Sequence, residues 1–418
     1  MRNKLNLIAM TRFIKYFTIL FTAVALAACG NKDDDGPGFV IPEYPDTENC
    51  QEPLNITATE IAADMFTGIN IGNTMEAINN GMPSETAWGN PKVNEKYIQG
   101  LKDAGFNAVR IPCAWSGHII NQTYYTIDPS WLDRVSEVVG WIVSRDMYAI
   151  VNIHWDGGWL EENVNTASKD KVIPKQRELW TQIANKLKGY NERLLFAGTN
   201  EPYQSRQNEF TASEMNVLLE YEQTFIDAVR ATGGNNLKRT LIVQGPATSI
   251  DLTVKLMSRL PVDKVPDRMM AEIHFYDPWN FCGMEKDESW GKMAYFWGDR
   301  NFIAGSDRNS DWGGEEYMKQ QFDKMKNMFV SKGIPVIIGE YGAITDHSNA
   351  LSSKEEKQKH LASRAYFNRC VSQYGKERGL VPFLWDTGEI FNRNTGKVKA
   401  TEIVNAIMEG SREGVYPY

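Results

Sequence analysis

From about residue 55 onward, short apolar segments recur along the chain, and a stretch with helical periodicity follows each of them. We count eight such segments, and they are nearly continuously apolar rather than alternating, as in 149–153 and 335–338. Continuous apolar runs are typical of parallel strands that are buried on both faces. The eight predicted strands are 66–73, 106–113, 147–155, 194–201, 240–246, 269–276, 335–340 and 380–386.

The segments between these strands carry signals for helix ends. Asp128 followed by Pro129 predicts a helix start, because Asp is a good N-cap and Pro is tolerated at the first helical position. Thr211 and Glu214 have the spacing of a capping box, and the helix that they begin is expected to end near Gly233. Strands therefore alternate with helices throughout this part of the chain.

Eight strands that alternate with helices predict the α/β class and a (β/α)8 barrel, the TIM barrel, as a single domain over 55–418. A doubly wound open sheet is the alternative. Such sheets usually carry a glycine-rich phosphate loop, and neither GxGxxG nor GxxxxGK[ST] opens any predicted helix. The pattern favours the barrel.

The N-terminal segment is predicted to be a targeting signal rather than part of the fold. Basic residues precede an apolar run over 17–28 that is too short to span a membrane. The run ends in Leu26-Ala27-Ala28-Cys29, which resembles the bacterial lipobox, in which the cysteine is lipidated. We predict a lipoprotein signal peptide over 1–28, then lipidated Cys29 and a flexible tether over 29–54; a plain signal peptide is the alternative.

An acidic run over 32–35 resembles a tag that directs some bacterial lipoproteins to the cell surface, so we expect a secreted lipoprotein of the outer membrane or cell surface. The net charge of −8 argues against a nucleic-acid partner, whose phosphates would be repelled. We expect a monomer attached to the membrane through its lipid. The spacings of the other four cysteines match neither a zinc motif nor a disulfide framework.

Polar side chains concentrate where the predicted strands end. In barrels of this kind, chemistry takes place at the carboxyl ends of the strands. Six of the eight strand ends carry Arg, His, Glu or Trp, so they predict a functional site at one mouth of the barrel. The candidate residues there are Arg110, His154, Asn200, Glu201, His274, Tyr276, Glu340 and Trp385.

Glu201 and Glu340 are the most informative of these residues, because a carboxylate at the end of an apolar run is costly unless it is paired or used. Glycoside hydrolysis needs two carboxylates on either side of the scissile bond. Strands four and seven lie across an eight-stranded barrel from each other, so both carboxylates can contact one sugar. Either glutamate alone is also compatible with a structural ion pair to a rim arginine such as Arg110.

Other interpretations apply to the neighbouring residues. His154 alone is compatible with a hydrogen-bonded core histidine, and Trp385 with packing rather than with a sugar ring. A divalent cation held by His154, Asp156, His274 and the glutamates is the rival chemistry. No HExxH-like pair occurs, so we expect neither a metal nor a cofactor.

The chain contains 12 tryptophans. Trp131, Trp141 and Trp180 lie in helical patterns and are predicted to be core residues. The others that follow strands are expected to divide between lining a glycan cleft and packing loops. These are Trp88, Trp115, Trp155, Trp159, Trp279, Trp290, Trp297 and Trp312.

Together these residues resemble glycoside hydrolase family 5 over roughly 55–410. Asn200-Glu201-Pro202 resembles the family signature, which implies that Glu201 is the proton donor. The segment 338–342 resembles the family's nucleophile segment, which implies that Glu340 is the nucleophile. The resemblance also implies that further residues bind or position the substrate, namely Arg110, His154, Asn200, His274, Tyr276 and Trp385.

Three segments, 68–74, 85–91 and 276–281, resemble subfamily 4, whose members cleave β-1,4-glucans that include cellulose, mixed-linkage glucan and xyloglucan. They add Asn73 and Trp88 to the expected substrate-binding residues. The chain departs from many relatives at Trp155, where those relatives have a histidine, and this weakens any inference about the preferred glucan.

We therefore expect a retaining, endo-acting β-1,4-glucanase that works by double displacement. A β-mannanase or a xyloglucan-specific enzyme is the alternative within the same chemistry. A non-catalytic, glycan-binding surface lipoprotein is the alternative from another class, and the presence of both glutamates disfavours it.

Overall fold

The computed structural model of the protein describes residues 55–203 and 209–418. The predicted signal peptide over 1–28, Cys29 and the predicted tether over 29–54 lie outside the described residues. None of the helices in the described ranges combines the length and the apolarity that a membrane span requires.

Within the described residues, eight parallel strands close into one barrel. The last strand pairs with the first, with Gly68 opposite Phe383, and this pairing closes the ring. Each strand overlaps one of the predicted apolar segments, so the predicted (β/α)8 barrel is confirmed. The strands are β1 (Gly68–Ile71), β2 (Ala108–Ile111), β3 (Tyr148–Asn152), β4 (Leu194–Ala197), β5 (Leu241–Gln244), β6 (Met269–Phe275), β7 (Val336–Tyr341) and β8 (Leu380–Asp386).

The helices form the outer layer, and at least one follows every strand. Short hairpins follow β1 (Ile78–Asn79 with Met82–Pro83) and β2 (Ile119–Asn121 with Thr126–Ile127). The α-helices of the described residues are α1 (Ala58–Asp64), α2 (Glu95–Asp103), α3 (Pro129–Val143), α4 (Lys169–Leu187), α5 (Ala212–Ala231), α6 (Ile250–Leu256), α7 (Trp279–Cys282), α8 (Glu315–Met328), α9 (Lys354–Glu377) and α10 (Thr401–Glu413).

The helix ends predicted from the sequence are confirmed by their caps. The Asp128 side chain accepts a hydrogen bond from the Ser130 backbone N–H at the start of α3, with Pro129 in the first helical position. Thr211 and Glu214 form a reciprocal capping box at the start of α5. These local contacts satisfy backbone N–H groups that have no partner within the helix.

The interior of the barrel is apolar toward the amino ends of its strands. Side chains such as Tyr148, Ile150 and Ile337 form a buried cluster there with Ala58 and Ile61 of α1. Helix α1 therefore covers that mouth of the barrel with apolar groups. The polar side chains collect at the opposite mouth, where the carboxyl ends of the strands meet.

Candidate active site

The pairing register of the strands brings the predicted site residues to one level of the barrel. Asn70 on β1 lies opposite Arg110 on β2 and opposite Trp385 on β8. His274 on β6 lies opposite Glu340 on β7. Side chains from distant parts of the sequence therefore point toward the same mouth.

Arg110 is the centre of the buried polar network. Its Nη1 donates to Glu340 Oε1 and to Asn70 Oδ1, each at 3.0 Å, and its Nη2 donates to Asn200 Oδ1 at 2.8 Å. Its Nε lies 3.0 Å from Glu272 Oε1. One guanidinium thus positions groups from four other strands or strand ends, as a planar donor with several N–H groups can.

The two predicted glutamates face each other beside His274. The Nδ1 atom of His274 lies 2.9 Å from Glu201 Oε1 and 3.7 Å from Glu340 Oε2. The hydroxyl of Tyr276 donates to Glu340 Oε2 at 3.1 Å. One oxygen of Glu201 and one of Glu340 lie within 4.8 Å of each other. This approach is closer than the roughly 6.5–9.5 Å between the carboxyl groups of inverting glycosidases, and it is compatible with the roughly 5–5.5 Å of retaining ones.

The protonation states of the residues in this network depend on its carboxylates. Burial opposes a charge on His274, but Glu340, Glu201 and Glu272 outweigh it and raise the pKa of the imidazole to about 10. Burial raises the pKa of Glu340 above its ordinary value, while the positive charges of His274 and Arg110 lower it in part. The imidazole is therefore charged at neutral pH, and it favours the ionised form of Glu340.

His154 and Trp385 form an aromatic wall beside this network. Their rings are nearly parallel, with centroids 5.6 Å apart. Burial, then the charges of Arg110 and His274, lower the pKa of His154 far below its ordinary value, so its ring is neutral. Gly72 makes room for this wall, because a Cβ there would lie 2.9 Å from Trp385 Cζ2.

The structure places Asn73 and Trp88 in the loop after β1, outside the hydrogen-bonded network around Arg110 within the described residues. The Asn73 carbonyl accepts from Asn90 Nδ2 at 3.1 Å. The indole of Trp88 donates to the Ile78 carbonyl at 2.9 Å and leaves 43% of the residue exposed. Their expected contacts with substrate stay a prediction.

Glu161 belongs to the site and was missed by the sequence reasoning. Its Oε2 accepts from Asn200 Nδ2 and from the Glu201 backbone N–H, both at 3.1 Å. Burial and then the nearby Glu201 charge raise its pKa to about 8. Glu161 follows β3 in a loop of mixed composition, and no local pattern marks it as buried.

Glu272, Gln244 and Asn70 were also missed, although a weak signal existed. Glu272 lies two positions before His274 on β6, so both side chains point to the same side of the strand. Its Oε1 lies 3.3 Å from His274 Nε2, and its Oε2 accepts from Gln244 Nε2. The weak signal was for Glu272, a charged residue inside an apolar strand and in phase with a rim histidine.

Three groups of the site are close enough to hold a cation. Ligand atoms of Glu201, His274 and Glu340 lie within 4.8 Å of one another among the described residues. The Arg110 guanidinium, 3.0 Å from Glu340 Oε1, already supplies positive charge there and disfavours a metal ion. This donor set fits a proton-transfer site better than a metal centre.

The tryptophans after the strands differ in exposure, and Trp159 among them is half-buried. Trp115 and Trp297 are buried and pack loops against the barrel. Trp155 donates its indole N–H to Glu162 Oε1 at 2.9 Å. The exposed members, at 37–66% of their surface, are Trp88, Trp155, Trp279, Trp290 and Trp312.

Known proteins resemble this chain in sequence and in structure. The cellulase model (glycosyl hydrolase family 5) matches residues 71–389. Endoglucanase A of Paenibacillus barcinonensis is 36% identical over 380 residues, which cover 85% of this chain and 90% of that protein. A xyloglucan-specific endo-beta-1,4-glucanase of Bacteroides ovatus is 36% identical over 388 residues, which cover 89% of this chain and 74% of that protein.

Solved structures of similar enzymes also resemble this chain. A Bacteroides ovatus xyloglucanase in complex with a XXXG heptasaccharide has a TM-score of 0.81 at 34% identity, covering 90% of this chain and 81% of that chain. A broad-specificity endoglucanase from Bacteroides salanitronis, described as GH5-4, has a TM-score of 0.76 at 35% identity, covering 86% of this chain and 96% of that chain. The chain belongs to glycosyl hydrolase family 5, the cellulase family.

Proposed function

We propose that this family 5 glycoside hydrolase cleaves β-1,4-glucan chains internally with retention of configuration, using Glu340 as the nucleophile and Glu201 as the general acid/base. The observation that carries the proposal is the pair of carboxylates on opposite sides of one mouth, with oxygens within 4.8 Å. The endoglucanase and xyloglucanase names of its relatives support the substrate class.

In the first step, a Glu340 oxygen forms a bond to the anomeric carbon, and the bond from that carbon to the glycosidic oxygen breaks. Glu201 gives its proton to the leaving oxygen, so the departing sugar leaves as a neutral alcohol. The product of this step is a glycosyl ester of Glu340, and Glu201 is left as a carboxylate.

In the second step, Glu201 accepts a proton from water as the water oxygen bonds to the anomeric carbon. The ester bond to Glu340 breaks, and Glu340 returns to a carboxylate. Two inversions at one carbon give net retention, and both glutamates recover their starting protonation.

The residues around Glu201 and Glu340 have separate roles in this mechanism. Arg110 holds one oxygen of Glu340 and Tyr276 holds the other, which aims the carboxylate at the substrate. Asn200 uses one of its two amide N–H groups for Glu161, and the other is suited to the sugar's 2-hydroxyl. Contacts to that hydroxyl strengthen in the transition state.

Hydrolysis of purified β-glucan, xyloglucan, cellulose and mannan by the wild type tests this proposal, with product sizes read by chromatography. We expect β-1,4-glucans, xyloglucan among them, to give mid-chain products, with the same rate in EDTA. If mannan is the only glycan that is hydrolysed, the enzyme is a β-mannanase instead.

The Glu340→Gln variant is the matched control that tests whether Glu340 is the nucleophile. It keeps the size of the side chain, but the amide does not form the ester, so hydrolysis is expected to be lost while the melting temperature stays near wild type. Proton NMR of the first-formed product should show the retained anomer. A folded variant with a tenth of wild-type activity, or an inverted first product, contradicts the assignment.

We also propose that the enzyme is anchored through a lipid on Cys29 at the outer membrane or cell surface. The apolar run over 17–28 that ends in Leu26-Ala27-Ala28-Cys29 supports this proposal. Metabolic labelling with a radioactive fatty acid should mark the wild type and not Cys29→Ala, and the variant should leave the membrane fraction. Equal labelling of both proteins rules out Cys29 as the lipid site.

A further inference from the structure

Gln244, the last residue of β5, is fully buried, and the pairing register of β5 and β6 places it opposite Glu272. Its Oε1 accepts from the Thr199 backbone N–H at 2.9 Å and lies 3.0 Å from the Thr199 hydroxyl. Because a backbone N–H only donates, the oxygen of the amide must face Thr199, and the nitrogen is left for Glu272. The Nε2 group accordingly donates to Glu272 Oε2.

The two partners of Gln244 lead to the proposed acid/base from opposite directions. Thr199 follows β4 and precedes Glu201 by two residues. Glu272 Oε1 lies 3.3 Å from His274 Nε2, and His274 Nδ1 lies 2.9 Å from Glu201 Oε1. The chain segment and these contacts form a ring that begins and ends at Glu201, and Gln244 closes it.

The Glu272 carboxylate uses the donor that Gln244 supplies. Burial opposes a charge on Glu272, but Arg110 and His274 outweigh it and, together with Gln244, lower its pKa below the ordinary value. A buried carboxylate is costly unless its oxygens accept hydrogen bonds. Arg110 and His274 face Oε1, and Gln244 faces Oε2. Contacts to both oxygens fix the orientation of the carboxylate.

Glu222 on α5 holds the backbone of Gln244 without adding a second negative charge. Its Oε1 accepts from the Gln244 backbone N–H at 3.1 Å. Burial, with a smaller contribution from Glu272, raises the pKa of Glu222 to about 8, so this carboxyl group is protonated at neutral pH. Gln244 thus faces one ionised carboxylate, Glu272, and one neutral carboxyl group, Glu222.

We propose that Gln244 is a positioning residue for hydrolysis, which holds the segment that carries Glu201 at a fixed distance from Glu272 and so keeps His274 against Glu201. It acts through Thr199 and Glu272 rather than by contact with the substrate. The inference rests on the proposed function for the role of Glu201. It gives a role to β5, the strand that contributes none of the site residues predicted from the sequence.

Gln244→Leu removes both side-chain hydrogen bonds and keeps a side chain of similar size. We expect kcat/KM for β-glucan to fall by about tenfold, mainly through kcat, which is the equivalent of one hydrogen bond to a charged group. Melting temperature reports whether the variant is folded.

Gln244→Glu tests rescue, because a protonated carboxyl still accepts from Thr199 and still donates to Glu272. Burial and the charge of Glu272 raise the pKa of the added carboxyl above the roughly 4.3 of an ordinary glutamate. Relative to wild type, the rate should therefore be close to one at about pH 5 and fall toward about pH 8, where the two carboxylates repel each other. Steady-state kinetics at both pH values measure this.

A second measurement needs no substrate. NMR of the protein with nitrogen-labelled histidine reports the environment of His274 Nε2, which lies 3.3 Å from Glu272 Oε1. This signal should move in Gln244→Leu and return toward its wild-type position in Gln244→Glu at about pH 5.

Gln182→Leu is the matched control, because Gln182 is a buried glutamine whose amide bonds to the Ile127 backbone N–H at 2.9 Å and to the Tyr125 carbonyl at 3.0 Å. It loses hydrogen bonds of the same kind in a different part of the barrel. The melting temperature should fall, while the kinetics of the folded protein and the His274 signal stay as in the wild type.

The proposal is overturned if folded Gln244→Leu keeps the wild-type kcat/KM or the wild-type His274 signal, or if Gln244→Glu is no faster than Gln244→Leu at about pH 5. If Gln244→Leu does not fold, a Gln244→Glu protein whose His274 signal follows that of the wild type from about pH 5 to about pH 8 overturns it instead. Failure of the wild type to hydrolyse any β-glucan is the separate failure of the proposed function. The two failures are distinguishable, because the His274 signal is read without substrate.

Discussion

At the scale of single residues, Glu161 is a buried carboxyl that contacts both Asn200 and the proposed acid/base, Glu201. One of its oxygens accepts from the Asn200 amide and from the Glu201 backbone, both at 3.1 Å. Its pKa, raised to about 8 by burial and by Glu201, keeps it protonated at neutral pH. A neutral Glu161 therefore positions both residues without adding a negative charge beside the proposed acid/base.

We predict that Glu161→Ala lowers kcat by about tenfold with a smaller change in KM, because the Asn200 contact to the sugar is made mainly in the transition state. Glu161→Gln keeps a neutral oxygen acceptor and should retain most activity at pH 7. Steady-state kinetics check both.

As pH rises through about 8, wild-type Glu161 ionises next to Glu201, whereas the glutamine does not. The ratio of wild-type to Glu161→Gln activity should therefore rise across this range, because the added negative charge favours the protonated, acid form of Glu201. A Glu161→Gln protein as slow as Glu161→Ala at pH 7 contradicts the positioning role.

At the scale of elements, the packing of β7 against β6 depends on Gly339, which has no side chain. A Cβ on Gly339 would lie 1.9 Å from Glu272 Oε1, which is far inside van der Waals contact. Glu272 in turn contacts Arg110 and His274. The glycine of β7 thus lets a carboxylate of β6 reach the centre of the network.

We predict that Gly339→Ala displaces Glu272 and lowers kcat/KM by about a hundredfold, since misplacement of catalytic groups by about 1 Å costs that much. Gly314→Ala is the matched control, because a Cβ there meets nothing within 4 Å. Kinetics and melting temperature of both variants check this. Wild-type activity in a folded Gly339→Ala protein would show that the network tolerates the shift.

At the scale of the whole molecule, the positive charge on His274 affects both the activity and the stability of the protein. Its pKa of about 10 in the folded protein lies above the roughly 6.5 of an unfolded chain. A raised folded-state pKa stabilises the protein fully below pH 6.5, and this stabilisation is lost as pH rises through about 10. The same charge lowers the pKa of Glu340 against the effect of burial.

We predict that the difference in urea midpoint between the wild type and His274→Gln narrows as pH rises from about 6.5 to about 10. The acid limb of kcat/KM should also move to higher pH in the variant, because Glu340 loses a neighbour that favours its ionised form. Urea titrations and pH–rate profiles measure the two effects. A constant midpoint difference across this range would mean that His274 is neutral in the folded protein.

The sequence by itself determined the barrel and singled out the central pair of glutamates, whose catalytic roles stay a proposal. The eight strands were predictable because each is a short apolar run that is recognisable locally, and the caps at Asp128 and Thr211 depend on residues within one helical turn. Glu201 and Glu340 were found because a carboxylate that ends such a run is conspicuous, wherever the strand lies in the barrel.

Only the tertiary structure decided which other side chains join the site and which merely pack. Trp290 and Trp297 lie in the same loop and are not distinguishable by local pattern, yet one is exposed and the other buried. Glu161 and Glu272 reach Asn200 and Arg110 across long separations in sequence. The physical reason is that burial and contact depend on strand register and loop path, which bring together groups that no local periodicity relates.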